Sequence, residues 1–225
     1  RSRGLGDVYK RQPLTLIASP IEEIINREEL SEEGQENIQL AKKNTDRMLR
    51  LINQLLDFRK IQNNKMKLYI EQADVVTLSK KIYDNFTGLA HQRNIGFHFV
   101  CSYDNYTLYT DIDKLEKILF NLLSNAFKYT PDGKNIDLIL EFKEKNLLIK
   151  VKDEGNGIEL HKIDMLFKRF ETLGQTDANL SSGIGLSLVK EWVDMLHGTI
   201  TVDSKLGYGS TFSISLPGEH EIFES

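Results

Sequence analysis

The chain has 225 residues, 40% hydrophobic and 28% charged, an ordinary globular composition long enough for one large core or two smaller ones. Its 29 Lys and Arg against 33 Asp and Glu leave a net charge of −4, so the global basic footprint of a nucleic-acid binder is absent. No apolar run reaches the length of a membrane span, no signal-peptide core opens the chain, and the single cysteine excludes an internal disulfide framework or a multi-cysteine zinc site. Cys101 falls in an apolar alternating run and reads as a small buried hydrophobe, which points to a reducing, cytoplasmic setting.

Residues 1–12, RSRGLGDVYKRQ, are rich in Gly and Arg and lack helical periodicity. They read as a foreign leader resembling a translated sequencing adapter; the other reading is a genuine disordered leader. From Pro13 onward Leu14, Ile17, Ile21 and Ile24 recur at 3–4–3 spacing and predict a helix. Pro13 suits its first turn, Pro20 should kink it, and it should end near Arg27 to Leu30. Ser31 followed by Glu32 and Glu33 predicts the hydroxyl cap and acidic first turn of a second helix. That helix, over 32–62, would be roughly 45 Å long. It carries Ile38, Ala41, Thr45, Met48, Ile52 and Leu55 in heptad spacing. The two helices predict an antiparallel hairpin over 13–63 whose apolar stripe is wider than one hairpin can cover. A four-helix bundle made by two copies would cover it; packing on the rest of the chain is the other reading.

A polar break at 63–65 ends this unit, and the pattern changes class. Strands are predicted at 67–71, 95–101, 107–109, 136–142, 147–151, 199–202 and 211–216, and helices at 75–92, 113–129 and 184–196. Several neighbouring strands are joined by tight turns, which favours an antiparallel α+β sandwich over 64–218, with 219–225 as an acidic tail or linker.

Four short elements carry chemistry. On the apolar helix, NLLSNAFKY (121–129) puts Asn121, Asn125 and Lys128 on one face. Carboxamide oxygens can ligate Mg²⁺ and an ammonium can meet phosphate, although a solvated face has the same spacing. DEGNG (153–157) closes a strand with a carboxylate able to accept from an exocyclic amine. Its two glycines would let the backbone approach a flat ligand, and a plain turn is the competing reading. SSGIGL (181–186) opens a helix, with small residues that expose backbone N–H groups to an anion. It is neither a P-loop nor a dinucleotide fingerprint. The polar stretch before it, 170–182, has the composition of a mobile lid or of an ordinary surface loop. GYGSTF (207–212) is a hairpin turn followed by hydroxyls.

Taken together, the order and spacing resemble the sensor histidine kinases, with the Bergerat-type ATP-binding fold shared with gyrase, mismatch-repair and heat-shock chaperone ATPases. Residues 121–130 look like the N box, 153–157 the G1 box, 166–170 the F box, 183–186 the G2 box and 207–212 the last glycine box. The hairpin before them looks like the dimerisation and phospho-acceptor domain. The resemblance implies ATP and Mg²⁺ as ligands, with Asn121 and Lys128 at the reacting phosphates and Asn125 on the metal. Tyr129 would line the pocket, and Asp153 would accept from the adenine amino group with Thr211 in support. Gly155 and Gly157 would admit the base, Gly183 and Gly185 would offer N–H groups to phosphates, and Arg169 with the lid would close over them. It further implies a homodimer, a response-regulator receiver domain as partner, and the cytoplasmic domain of a longer membrane-bound sensor.

Two departures stand out. Ser181 occupies a position that is usually Gly. More seriously, PLTLI (13–17) matches the end of the family's H box, whose phospho-accepting His lies five residues before the Pro; that position is Val8. Tyr9 replaces the acidic neighbour and Gln12 is the polar residue before Pro13. None of His91, His98, His161, His197 and His220 lies in this element. The implied activity is transfer of the ATP γ-phosphoryl to a histidine and then to an aspartate, with the acceptor missing here. The alternatives are a non-catalytic nucleotide-binding dimerisation module and a water-using ATPase. The latter is disfavoured because a carboxamide, Asn121, stands where such enzymes place a Glu base.

Overall fold

A computed structural model of the chain describes residues 16–25, 30–168 and 184–223. The chain divides into two compact units, Arg1–Met66 and Lys67–Ser225. In the first, helix α1 covers residues 16–25 and α2 runs Glu32–Gln62. The Ser31 hydroxyl accepts the Gly34 N–H at 3.2 Å, Glu32 and Glu33 occupy the first turn, and Arg59 and Lys60 the last, so both ends suit the helix dipole. Lys42 on α2 pairs with Glu22 on α1 at 2.7 Å. Leu40, Met48, Leu51 and Leu55 of α2 all remain exposed. The predicted start of α1 at Pro13, its end near Arg27 and the leader 1–12 lie outside the described residues. Among the described residues, no helix is long and apolar enough to cross a membrane.

The second unit runs β1 (Glu71–Asp74), α3 (Val75–Gln92), β2 (Gly96–Cys101), β3 (Thr107–Thr110), α4 (Ile112–Tyr129), β4 (Asn135–Lys143) and β5 (Asn146–Asp153). It continues with the short α5 (Leu160–Ile163), then α6 (Gly185–Met195), β6 (Thr199–Lys205), β7 (Gly209–Pro217) and a 3₁₀ turn at His220–Phe223. Five strands form one sheet in the order β2-β4-β5-β7-β6, and β1 pairs with β3 apart from it. Inward residues alternate along the strands, as in Leu147, Ile149, Val151 and Asp153 of β5, all buried. Helices α3, α4 and α6 pack on this face. Leu115, Ile118, Leu119, Leu122, Leu123 and Phe127 of α4 and Trp192 of α6 fill the layer between, and Phe86 stacks on Phe127 at 5.3 Å. The opposite face carries His98, Asp137, Lys150 and Ser213, none of them buried.

Three expectations need correction. The sheet is mixed, not antiparallel: β2 runs parallel to β4, from Gly96↔Asn135 to Cys101↔Leu140. The chain between them passes through β3 and α4, a crossover long enough to bring the second strand back in the same direction. The strand expected at 67–71 lies at Glu71–Asp74, because its partner β3 reaches only as far as Thr110, opposite Glu71. Cys101 ends β2 half-buried instead of in the core.

Candidate functional site

The amphipathic pattern of α4 buries its leucines and leaves Asn121, Asn125 and Lys128 half-buried on another face. The Asn121 amide donates to the Lys117 carbonyl at 2.7 Å. The Lys128 ammonium lies 5.0 Å from the centroid of the Tyr129 ring, which is 48% exposed. Beyond Tyr129, Thr130 caps the helix and a turn through Gly133 leads into β4.

Asp153 is the last residue of β5 and only 7% exposed. Its carboxylate accepts the Gly155 N–H at 2.8 Å and a second N–H from Ser210 of β7. Burial pushes its pKa above 3.8, and the two N–H groups pull the other way without cancelling it. A carboxylate placed here at the cost of desolvation is a group poised for a further donor.

The two glycines join this carboxylate to its surroundings. A Cβ on Gly155 would stand 2.7 Å from the Tyr129 carbonyl, so the end of α4 and the turn after β5 touch through that gap. Gly157 has φ +66 and lies directly against the Lys205 carbonyl, leaving no room for a side chain. The Gly207 N–H donates to the Asn156 carbonyl at 2.7 Å, so the 154–158 turn rests on the β6–β7 turn. Ser204 completes the joint. Its hydroxyl accepts the Ile158 N–H at 2.9 Å, donates to the Gly209 carbonyl at 3.0 Å and meets the Ser210 hydroxyl at 2.9 Å.

The register corrects one predicted site residue. Asp153 pairs with Ser210, whereas Thr211 pairs with Lys152 and Asp203. Alternation along β7 therefore puts Thr211 on the far face of the sheet, and Ser210 is the residue that supports Asp153. Gly185 opens α6, and the residue before it, Ile184, supplies no side-chain cap. The structure thus gathers Tyr129, Asp153, Gly155 and Gly157, and gives Gly185 the helix start expected of it. Arg169, Ser181, Gly183 and the 170–182 stretch lie outside the described residues, as do Val8, Tyr9 and Gln12.

Sequence reasoning missed Ser204, Ser210 and Arg93. A serine at an inward position of a strand, just before a glycine turn, is the signal that could have found Ser204. Arg93 had none, since its partners, two carbonyls and a carboxylate, lie 34, 37 and 39 residues away.

The family model described as "Histidine kinase-, DNA gyrase B-, and HSP90-like ATPase" matches residues 110–220. The model for the His Kinase A (phospho-acceptor) domain matches residues 11–64. Histidine kinase P4 of Formosa agariphila is 34% identical over 212 residues, covering 92% of this chain and 16% of that protein. Sensor histidine kinase TmoS of Ectopseudomonas mendocina is 37% identical, covering 92% of this chain and 22% of its own length. Among solved structures, full-length ShkA in complex with AMPPNP superposes with a TM-score of 0.77 at 23% identity, over 96% of this chain and 45% of that one. The histidine kinase AdeS of Acinetobacter baumannii gives 0.66 at 22% identity, over 94% of this chain and 98% of its own. These two likenesses speak for the fold. The chain spans about a fifth of the curated relatives named here.

Proposed function

We propose a function for a chain that belongs to the two-component histidine kinases: it is the kinase core of a longer sensor, and its second unit binds ATP together with Mg²⁺. The observation that carries this is Asp153, buried and held by the N–H groups of Gly155 and Ser210. Around it, glycines at 155 and 157 are closed against the Tyr129 and Lys205 carbonyls. The site fits an adenine nucleotide: a buried carboxylate can accept an exocyclic amine, and the two glycines let the turn that holds it close against the ends of α4 and β6.

In this reading Asn125 lends its carboxamide oxygen to Mg²⁺, Lys128 meets phosphate, and Gly185 at the start of α6 presents an N–H to an anion. Gly183, Arg169 and the lid would extend that cradle. Bound ATP supplies the phosphoryl group; the chain's own task is to position it and to balance its charge. Asn121 donates to Lys117 and carries no basic group, which supports transfer to a protein acceptor over activation of water.

The acceptor in the family is a histidine five residues before Pro13, and the onward acceptor an aspartate of a response-regulator receiver domain. Val8 stands at the histidine's position, so this chain binds nucleotide without labelling itself. That one residue favours a second reading, a nucleotide-binding dimerisation module that acts on a receiver domain. The exposed leucines of α2 support a homodimer in both. The greater length of the relatives supports a place in a longer sensor, and the family resemblance points to the cytoplasmic side of a membrane-bound one.

Calorimetry with Mg·ATP tests the site. Asp153→Asn should weaken binding by about 1–3 kcal/mol, because the amide presents a donor where an acceptor is needed. Equal affinities would remove Asp153 from the pocket.

A further inference from the structure

We infer that Arg93 is a positioning residue for the nucleotide site, acting through the C-terminal turn of α4. This rests on the ATP-binding reading above. Arg93 follows α3, and its guanidinium spans three groups at once. One nitrogen donates to the Phe127 carbonyl, a second to the Thr130 carbonyl at 2.8 Å, and Nε to the Asp132 carboxylate at 2.7 Å. The two carbonyls bracket Lys128 and Tyr129 on both sides.

The chemistry of a helix end explains why this matters. The last carbonyls of a helix have no intrahelical partner and carry the negative end of its dipole. In α4 the Ala126 carbonyl is taken by the Thr130 N–H, and those of Phe127 and Thr130 by Arg93. The planar fork of a guanidinium meets both in one fixed geometry, which a lysine ammonium cannot reproduce. With both ends of the 127–130 segment held, the peptide that carries Lys128 is fixed. The Tyr129 carbonyl is fixed as well, and it closes against Gly155, the residue whose N–H holds Asp153. One side chain outside the site thus sets the phosphate-facing and the adenine-facing parts relative to each other. Asp132 is 68% exposed and anchors the fork from the solvent side.

The test is a double-substitution cycle on the full chain, read as the Kd for Mg·ATP by calorimetry, with circular dichroism to verify folding. Binding by the unsubstituted chain is measured first; if it is absent, the ATP reading and the role of Arg93 fall together. Given binding, Arg93→Lys should weaken affinity about tenfold, the scale of a charge-assisted contact, in a chain that stays folded. On a Lys128→Ala background the same change should cost at most about a third as much, since part of what Arg93 positions is then gone. A lowered melting temperature with unchanged affinity overturns the inference, as do losses that simply multiply; either result leaves the ATP site standing. If Arg93→Lys does not fold, Asp132→Asn decides. It removes only an exposed anchor and should weaken ATP about threefold, and an unchanged affinity overturns the inference.

Discussion

At Asp153 the sequence and the structure make different contributions. The carboxylate could be picked out as an acceptor from its place before two glycines, but its burial, its two N–H donors and its raised pKa come from the fold. The partner opposite it was misread by one position. Thr211 and Ser210 are adjacent hydroxyls, and only the strand register shows that Ser210 shares the face of Asp153. The raised pKa gives a signed expectation. In the free protein the folded state holds the Asp153 proton more tightly than the unfolded one. The corresponding stability is full below 3.8 and is lost as pH rises through the folded pKa. Accepting a hydrogen bond from a ligand amine favours the anion, so nucleotide affinity falls as pH drops through that same raised pKa, and starts to fall above 3.8. Protonation of the base affects Asp153→Asn equally. The affinity gap between the two chains should therefore narrow on acidification, and a gap that stays constant as the pH is lowered from 7 to 3.8 would take Asp153 out of the linkage.

Helices α3 and α4 are built alike at their starts. Each is capped by an aspartate that also holds a distant strand of chain. Asp74 accepts the N–H groups of Val76 and Thr77, the Thr77 hydroxyl at 2.5 Å, and the Tyr106 N–H at 3.0 Å from the segment before β3. Asp111 accepts the Lys114 N–H at 3.0 Å with one oxygen and the Tyr69 N–H at 2.8 Å with the other. Sequence periodicity found both helices, and it placed α4 from Asp113 because apolar spacing says nothing about where a cap closes. The long-range halves of these caps were illegible, as was the parallel pairing of β2 with β4, since both depend on which segments meet. Desolvation works against ionised Asp74, yet its four hydrogen bonds together lower its pKa below 3.8. Its contribution is thus present above 3.8 and is lost as pH falls through the lowered value. Asp74→Ala should cost about 1–2 kcal/mol in urea unfolding at pH 7. The difference should shrink in acid. A loss that is independent of pH would mean that packing, and not the cap, was removed.

No single box in this chain identifies it; their order does. Among the described residues, the end of α4, the end of β5 and the start of β7 meet around Asp153 and Gly155. The first unit follows a different logic: α2 keeps Leu40 at 57% and Met48 at 53% exposure, surface a second copy would cover. Light scattering at tens of micromolar, a range set roughly by specific association, should find a dimer, and a monomer there would contradict the bundle. With the family's acceptor position carried over, the activity expected of such a dimer turns on residues 8–12. The H-box tail is intact from Pro13, while Val8 has no nucleophile and Tyr9 no carboxylate. Thr15 is seven residues past Val8 and does not stand at the family's acceptor position. Rewriting residues 8–12 as His-Glu-Phe-Lys-Thr should restore labelling from γ-labelled ATP, with phosphate that is labile in acid and stable in base. The present chain should bind ATP and stay unlabelled. Acid-labile phosphate on it would refute the missing acceptor, whereas a rewritten chain that binds ATP and remains unlabelled would locate a second defect, with Ser181 the first residue to restore to Gly.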